Sequence, residues 1–420
     1  MEASGSTGSK GSAESTQTTS QRKTRKLLFS AGLSWMFDAM DVGIISFIAA
    51  ALAAEWSLSP QQTGLFTSIN SVGMAFGAAI AGVMADKFGR RAVLLWTLLI
   101  FSIASGLSAA ATSLTVLLIL RFIAGFGLGG ELPVASTLVS ESVPAKERGR
   151  AVVLLESFWA AGWIASALIA YFVIPKYGWQ AAFIIGAVPA LYALYLRKSI
   201  QDPPRYLELV AERKGQKLTF KDRFKSVWQS EHRRSTIMLW ALWFTVVFSY
   251  YGMFLWLPSV MMIKGFSLVK SFEYVLIMTL AQLPGYFTAA YFIEKYGRKF
   301  VLVIYLLATA ASAAWFGSAT SEGMLIAAGI CLSFFNLGAW GAMYAYTPEL
   351  YPTKVRSTGV GLAASFGRIG GIIAPFLVGM LVARDVEIGT IFWLFFFTIV
   401  LGALAVMWLG TETKGKELVD

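Results

Sequence analysis

The sequence predicts an all-α membrane protein with twelve transmembrane helices, arranged as two pseudo-symmetric six-helix bundles. Of the 420 residues, 56% are hydrophobic and 14% are charged, whereas soluble proteins carry about 25% charged residues. Twelve apolar runs are long enough to cross a bilayer as helices, at about 20 residues each. Strands of a membrane barrel would give runs about half as long. Two charged motifs recur later in the chain, which indicates an internal duplication.

The duplication is visible because both motifs recur at one shared offset. The segment Gly82–Arg91 returns as Ala290–Lys299, with the same order of a small residue, an acid, a glycine and cations. A second motif, formed by Glu141, Pro144, Lys146 and Arg148, returns as Glu349, Pro352, Lys354 and Arg356. Two unrelated motifs rarely share a spacing by chance, so each half of the chain is predicted to be one copy of the same unit.

The apolar runs define the predicted spans and the domain boundaries. The spans cover residues 27–52, 63–85, 92–111, 113–139, 151–174, 179–197, 236–262, 271–293, 300–318, 322–347, 357–383 and 388–409. The predicted domains are a disordered tail at 1–26, a first bundle at 27–197, a linker at 198–234, a second bundle at 235–410 and a tail at 411–420. Residues 1–20 are rich in Ser, Thr and Gly and lack the apolar core of a signal peptide.

The distribution of basic residues predicts the orientation. Lys and Arg cluster in the loops after even-numbered spans and in the linker, and they are sparse after odd-numbered spans. The positive-inside rule then places both termini and the linker in the cytoplasm of a multi-pass cell-membrane protein. The net charge of +11 fits contact with anionic lipid better than nucleic-acid binding. With one Cys and one His, we expect no disulfide framework, metal cluster or cofactor.

Several charged residues lie inside predicted spans, where a charge at the helix centre costs about 2.5–3.5 kcal/mol on insertion scales. The candidates for a role are Asp38 and Asp41 in span 1, Arg121 in span 4, Glu156 in span 5 and Arg368 in span 11, whereas Glu131 near the end of span 4 is close enough to an interface to be ordinary. Such residues usually face a cavity or a partner. Asp41 and Arg121 could form a structural ion pair or a functional one. Arg368 could grip a carboxylate through two parallel hydrogen bonds, or it could pair with Glu156.

Aromatic side chains in spans 5, 7 and 10 are candidates to stack on a flat ring. The alternative is that they belong to the interfacial aromatic belt, as most aromatics near span ends do. The candidate binding residues, together with Arg368, are Trp159, Tyr250, Tyr251, Asn336, Trp340, Tyr344 and Tyr346.

The repeated charged loops are predicted to form a paired latch at the ends of the two bundles, because unpaired charge near lipid is costly. The alternative is that they only signal topology. The candidate gating residues are Asp86, Arg90, Arg91, Glu141 and Arg148 in the first half, and Glu294, Arg298, Glu349 and Arg356 in the second.

These motifs resemble those of the major facilitator superfamily. The resemblance rests on the Gly82–Arg91 loop, the Arg121-x-x-x-Gly125 spacing and the exit from span 4, and it covers residues from about 25 to 416. The tail Glu412-Thr-Lys-Gly415 is similar to that of the sugar-porter and organic-ion branch. The resemblance implies a secondary transporter, working as a monomer by alternating access, rather than an enzyme.

A narrower resemblance, to the bacterial niacin transporters, is carried by the segments Leu33–Phe47, Gly129–Glu141 and Phe248–Ser259. It implies uptake of nicotinate, with nicotinamide as an alternative, coupled to protons. The rival hypotheses are a transporter of another small aromatic acid such as a benzoate, a sugar porter, and a non-transporting receptor.

The family also implies residue roles. In proton-coupled sugar porters an Asp of span 1 pairs with an Arg of span 4 and takes the proton, and Asp41 and Arg121 stand at those positions. Asp38 and Glu156 are further candidates for carrying protons. Sugar porters have two Gln in span 7 and a Trp in span 10, where this chain has Tyr250 with its neighbours and Tyr344. These departures favour a flat aromatic ligand over a hexose, and the span 11 Arg of organic-anion carriers matches Arg368.

Overall fold

The computed structural model describes residues 8–88, 90–142, 148–189, 191–192 and 220–414, and it gives side-chain positions for most of them. Every regular element in these ranges is a helix. The helices are α1 (Gly8–Glu55), α2 (Pro60–Phe88), α3 (Arg90–Ser108), α4 (Leu114–Ser142), α5 (Arg148–Phe172), α6 (Ile174–Ile185), α7 (Phe220–Val227), α8 (Ser230–Phe254), α9 (Leu257–Ile263), α10 (Leu268–Leu280), α11 (Gln282–Tyr296), α12 (Arg298–Ser318), α13 (Glu322–Glu349), α14 (Thr353–Val382) and α15 (Ile388–Leu409).

The membrane-spanning prediction is confirmed. Eight helices in the described ranges are long and apolar enough to cross a membrane, and shorter apolar helices run over Leu95–Ser108 and Leu114–Gly129. Helices α1 to α5 cover spans 1 to 5, α8 with α9 forms span 7, α10 with α11 forms span 8, and α12 to α15 form spans 9 to 12. Helix α6 covers only the first part of predicted span 6, because it ends at Ile185 and turn residues follow. The end of predicted span 6, beyond residue 192, lies outside the described residues.

Two predicted spans are broken helices rather than continuous ones. Span 7 changes direction between Phe254 and Leu257, and Pro258 lies in the first turn of α9, where a missing N–H costs nothing. Span 8 breaks at Ala281, three residues before Pro284. A proline ring clashes with the carbonyl of the fourth residue before it and removes one helical hydrogen bond, so each break has a local cause.

Helix α1 is longer than the predicted first span. It begins at Gly8 and therefore takes in most of the segment that the sequence predicts as a disordered tail. The stretch Gln21–Lys26 joins it to the span and consists largely of Gln, Arg and Lys, which have good intrinsic helix propensity.

Packing within the two halves follows one pattern. In the first half the main contacts join spans 1 and 5, 2 and 4, and 3 and 4. In the second half they join spans 7 and 11, 8 and 10, and 9 and 10, and spans 9 and 12 form a further large contact. Adding six to each span number of the first set gives the first three pairs of the second set. The duplication read from the charged loops is therefore present in the helix packing.

The interface between the halves obeys the same symmetry. Span 2 packs against span 11, and span 8 packs against span 5. At the side of the molecule opposite the chain ends the halves touch closely: a Cβ added to Gly64 would lie 3.2 Å from Cα of Gly379. The Trp256 indole N–H donates to the Pro375 carbonyl at 2.9 Å, and the rings of Phe47 and Phe272 meet edge to face. This side of the interface is closed.

Candidate functional site

A small cavity lies between the two halves. Its volume is about 20 Å³, counted as the space open to the centre of a water-sized sphere, which is room for about one water molecule. Both halves contribute to its wall, which is formed by Trp35, Trp159, Trp243, Val247, Tyr251, Trp340, Tyr344, Ala364 and Arg368. A ring-sized ligand would fit only if the lining side chains or the two halves moved apart.

Arg368 supplies the positive charge of the cavity. Its Nη1 donates to the Tyr251 hydroxyl at 3.4 Å and lies 3.6 Å from the Met74 sulfur. Among the described residues, no carboxylate lies within ion-pair distance of this guanidinium, so the predicted alternative of a pair with Glu156 is not formed. A phenol and a thioether are weak partners for a guanidinium. An incoming anion could therefore replace them at little cost.

Two glycines next to Arg368 have a packing role. A Cβ on Gly370 would lie 2.8 Å from the Phe244 carbonyl, and one on Gly367 would lie 3.1 Å from that of Trp243. Their lack of a side chain lets α14 approach the backbone of α8 closely. This close approach brings Arg368 within reach of Tyr251.

Four of the predicted ring-binding aromatics line the cavity: Trp159, Tyr251, Trp340 and Tyr344. The rings of Trp159 and Trp340 come from different halves and stack at 6.2 Å with an interplanar angle of 13°. Tyr344 packs on Trp340 with centroids 5.8 Å apart. These residues form one aromatic surface beside Arg368.

The other three predicted binding residues do not line the cavity. Tyr250 is buried behind the wall, where its hydroxyl accepts a hydrogen bond from the Trp159 indole at 2.7 Å. Asn336 is buried one helical turn before Trp340. Tyr346 points to the end of the second half, where its hydroxyl donates to the Thr411 carbonyl at 2.7 Å.

Two carboxyl groups are buried near the cavity. Glu156 is 2% exposed, and the indoles of Trp35 and Trp340 adjoin its carboxyl group. Asp38 is 1% exposed and lies within electrostatic range of the Tyr251 hydroxyl. Both carboxyl groups therefore lie close to the candidate binding surface.

Asp41 and Arg121 form a fully buried ion pair inside the first half. Nη1 of Arg121 lies 3.1 Å from one carboxylate oxygen of Asp41 and 3.2 Å from the other, and both side chains are 0% exposed. The Ser105 hydroxyl donates to Asp41 at 2.6 Å, and Nη2 of Arg121 donates to the Ser108 hydroxyl at 3.1 Å. The Phe183 ring lies 4.6 Å from the guanidinium carbon. Both charges are thus compensated away from water.

Sequence reasoning missed Trp35 and Trp243 as wall residues. Trp243, Val247 and Tyr251 are spaced by four along α8 and share one face of that helix. Continuing this spacing backwards from Tyr251 would have found Trp243. Trp35 lies three residues before Asp38 on α1, so the same helical spacing applied to the buried acid could have pointed to it.

The second charged loop forms a compact cluster at the chain-end side of the second half. Arg298 pairs with Glu294 at 2.9 Å and with Glu349 at 3.3 Å, and the Thr413 hydroxyl donates to Glu349 at 2.5 Å. Nε of Arg356 donates to the Pro348 and Tyr351 carbonyls. The side chains of Asp86, Arg90, Arg91, Glu141 and Arg148 lie outside the described part of the structure, so the latch in the first half stays a prediction.

The C-terminal segment belongs to this cluster, although the sequence predicts a tail from residue 411. The Glu412 carboxylate accepts backbone N–H bonds from Arg298, Lys299 and Lys414 at 2.9–3.1 Å. Burial pushes the pKa of Glu412 upwards, but these backbone donors outweigh it and hold the pKa below its ordinary value. Gly297 leaves the necessary space: its φ is +105°, and a Cβ there would lie 2.5 Å from a Glu412 oxygen.

A duplicated twelve-span architecture with a polar site between its halves is typical of membrane transporters. Comparison with known families agrees: the model of the Major Facilitator Superfamily matches residues 28–285 and 273–419. The chain belongs to this family. It is 19% identical to the E. coli xylose transporter XylE in a partially occluded inward-open conformation, with a TM-score of 0.77 over 94% of this chain and 100% of that one, which is a likeness of fold alone.

Two bacterial relatives are much more similar in sequence. One, from Bacillus subtilis (strain 168), is named "Putative niacin/nicotinamide transporter NiaP" and is 60% identical over 94% of this chain and 98% of its own length. The other, the "Niacin transporter NiaP" of Acinetobacter baylyi, is 46% identical over 93% of this chain and 95% of its own. The sequence-based assignment to the major facilitator superfamily, with a narrower resemblance to niacin transporters, is confirmed.

Proposed function

We propose that this protein takes up nicotinate across the cell membrane by alternating access, in symport with a proton. One observation carries the proposal: Arg368, which has no carboxylate partner among the described residues, lies in an aromatic-lined cavity between two symmetric bundles. The names of the two bacterial relatives support niacin as the vitamin carried. Nicotinamide is the second candidate substrate of the same site.

Substrate recognition would combine the charge and the rings. The guanidinium of Arg368 can form two parallel hydrogen bonds to a carboxylate, which are stronger than its present contacts with a phenol and a thioether. The pyridine ring would stack against Trp340 and Trp159, the pair already parallel in the cavity wall. Tyr344 and Tyr251 would pack against the edges of the pyridine ring. The ligand would then contact both halves, as a transported substrate must in order to influence their rocking.

Proton coupling is assigned to Asp41. A proton competes with Arg121 for its carboxylate, because both neutralise the same oxygens. Proton loading therefore accompanies a loosening of the buried pair as the first half rearranges. Asp38 and Glu156 are the other buried acids that could carry a proton. One proton and one nicotinate anion together carry no net charge across the membrane. The membrane potential, which acts with about 2.3 kcal/mol per charge per 100 mV, therefore does not contribute to the driving force for uptake.

The direction of opening follows from the closed side of the interface. With the termini in the cytoplasm, as the loop charges predict, the Gly64–Gly379 contact lies on the extracellular side and seals it. The charged cluster of Arg298, Glu349 and Glu412 then lies at the cytoplasmic side. We propose that it fastens span ends together in one state and loosens in the other, with the Gly82–Arg91 loop as its partner in the first half.

A benzoate is the rival substrate, because it presents the same carboxylate and a similar flat ring to Arg368 and the tryptophans. A competition assay separates the two. Purified protein in liposomes takes up labelled nicotinate while unlabelled nicotinate, nicotinamide, benzoate and xylose compete. The proposal requires nicotinate to compete best and xylose not at all; a nicotinate signal that benzoate removes more effectively than nicotinate itself would refute it.

Replacing Arg368 tests the carboxylate contact. Arg368→Ala should weaken nicotinate binding at least about 10-fold, since hydrogen bonds to charged groups contribute about 1.5–3 kcal/mol. Arg384→Ala, at an exposed arginine just after α14, is the matched control and should bind normally. Isothermal titration or tryptophan fluorescence of the purified variants reports the affinities. Unchanged affinity in Arg368→Ala would remove the guanidinium from the proposed site.

A further inference from the structure

Three buried polar atoms at one end of the cavity have no hydrogen-bond partner within the described residues. They are Oε2 of Glu156 and the indole nitrogens of Trp35 and Trp340. The three residues are 2%, 3% and 3% exposed. Both indole N–H groups act as weak donors to the Glu156 carboxyl group, although neither contact reaches full hydrogen-bond geometry. Trp35 and Trp340 also line the cavity. The cluster therefore lies in and directly behind the wall of the substrate cavity.

Such a concentration of unsatisfied groups is costly. A buried donor or acceptor without a partner costs about 1–3 kcal/mol, and most buried polar side-chain atoms in proteins are paired. The carboxylate contact with Arg368 uses none of the three. The Asp41–Arg121 pair lies elsewhere in the first half and makes no contact with them. These three polar atoms therefore lie beside the cavity and take part neither in the Arg368–carboxylate contact nor in the Asp41–Arg121 ion pair.

The position of the cluster relative to Arg368 suits a ligand with two polar ends. Tyr344 lies within electrostatic range of both Glu156 and Arg368, so an acidic and a basic group flank the same aromatic wall. Trp340 of the stacked pair adjoins Glu156, and both tryptophans line the cavity together with Arg368. A flat ring resting on this pair, with its anionic group at Arg368, would direct another ring position towards the cluster.

We propose that Trp35, Glu156 and Trp340 form a subsite for the ring nitrogen of a pyridine carboxylate. This inference rests on the proposed transport of nicotinate and specifies how the site tells a pyridine acid from a benzoate. A pyridine nitrogen has a lone pair and accepts one hydrogen bond. The cluster offers three possible donors, the two indole N–H groups and the carboxyl group in its protonated form. No proton needs to be transferred.

The benefit to selectivity follows from the unpaired groups. A pyridine nitrogen gives the cluster a partner, whereas the C–H of benzoate at the same place leaves it unsatisfied. Sites built to hydrogen-bond a ligand discriminate strongly against analogues that lack the matching atom. Arg368 binds the carboxylate, and the cluster donates a hydrogen bond to the ring nitrogen. Nicotinate makes both contacts, benzoate makes only the contact with Arg368, and nicotinamide makes chiefly the contact with the cluster.

Binding of these three compounds to the purified full-length protein tests the subsite. The unaltered protein should bind nicotinate at least about 10-fold more tightly than benzoate, as one hydrogen bond to a buried group predicts. Glu156→Leu should bring the two affinities within about 2-fold by weakening nicotinate alone. Glu156→Gln retains an amide donor and should keep most of the preference. Glu55→Gln, at an exposed acid ending α1, is the control for losing a carboxylate and should behave as the unaltered protein does.

Trp340→Phe gives an independent second variant, because it keeps the ring and removes only the N–H; it should also reduce the nicotinate preference. The proposal is overturned if Glu156→Leu weakens nicotinate and benzoate equally, which is what a purely structural residue would do. It is also overturned if the unaltered protein binds both acids equally, although nicotinate transport itself would then stand. If the unaltered protein binds neither acid nor nicotinamide, the proposed function fails first and the subsite with it.

Discussion

Removing the charge of Asp41 is the perturbation whose effect the structure defines best. Asp41→Asn keeps the shape and the Ser105 hydrogen bond but leaves the Arg121 guanidinium buried without a counter-charge. Removing one partner of a buried ion pair typically costs about 3–5 kcal/mol. The Ser108 hydroxyl and the Phe183 ring remain beside the guanidinium and still stabilise it partly. We therefore expect the free energy of unfolding to fall by an amount in the lower half of that range.

The assay has a stability arm and a coupling arm. Chemical denaturation in detergent should show a lower free energy of unfolding for Asp41→Asn. The double variant Asp41→Asn/Arg121→Gln should recover at least half of this loss, because it buries no unpaired charge. In liposomes, Asp41→Asn should lose uptake driven by a pH gradient but retain exchange of nicotinate, since exchange moves no net proton. If Asp41→Asn is as stable as the unaltered protein, the burial argument is refuted. Uptake of Asp41→Asn that still responds to the pH gradient would refute its proton role.

Three further predictions concern the charged ends of the bundles. Gly297→Ala should cost more than the about 1–3 kcal/mol of backbone strain and release the C-terminal segment to proteolysis, because its Cβ would also collide with the Glu412 carboxylate. Gly265→Ala, at φ +98° with open space around it, should cost only the backbone strain. Because the pKa of Glu412 is lowered on folding, its stabilising effect should be complete above its unfolded pKa of about 4.5 and fade as the pH falls through the folded value. Glu412→Gln should therefore melt below the unaltered protein at neutral pH and match it in acid; a constant gap would contradict this. Finally, Asp86→Asn should slow the transport cycle more than Glu294→Gln, whose partly exposed ion pair contributes about 0–1 kcal/mol, with substrate affinity unchanged in both; equal rates would count against an unequal latch.

Much of the architecture is readable from the sequence because the bilayer restricts it so strongly. Only helices and closed barrels satisfy the backbone in lipid, so run length alone predicts spans. The cost of buried charge likewise selects Asp41, Arg121 and Arg368 as residues needing partners or ligands. Prolines are a weaker guide: Pro258 and Pro284 stand at the breaks of spans 7 and 8, whereas Pro375 lies inside the continuous helix α14.

The details of the site depend on how each helix is rotated and on which neighbour it meets. Helical periodicity shows that Tyr250 and Tyr251 point to different sides of α8. It does not show that Tyr251 faces the cavity, or that Tyr250 accepts a hydrogen bond from Trp159. Tyr346 lies in the same aromatic stretch as Tyr344, yet half a turn of helix sends it towards Thr411. Contacts of this kind are set by tertiary packing, which a single sequence does not specify.

The measurement that tests the account most directly is nicotinate accumulation in liposomes under separately imposed gradients. With the outside acidic and no membrane potential, labelled nicotinate should accumulate above its external concentration, and Arg368→Ala should abolish this. With an imposed potential and equal pH on both sides, the one-proton scheme predicts no accumulation, because the proton and the anion together carry no charge. Accumulation driven by the potential alone would contradict that scheme, and no accumulation under either gradient would contradict proton-coupled uptake of nicotinate altogether.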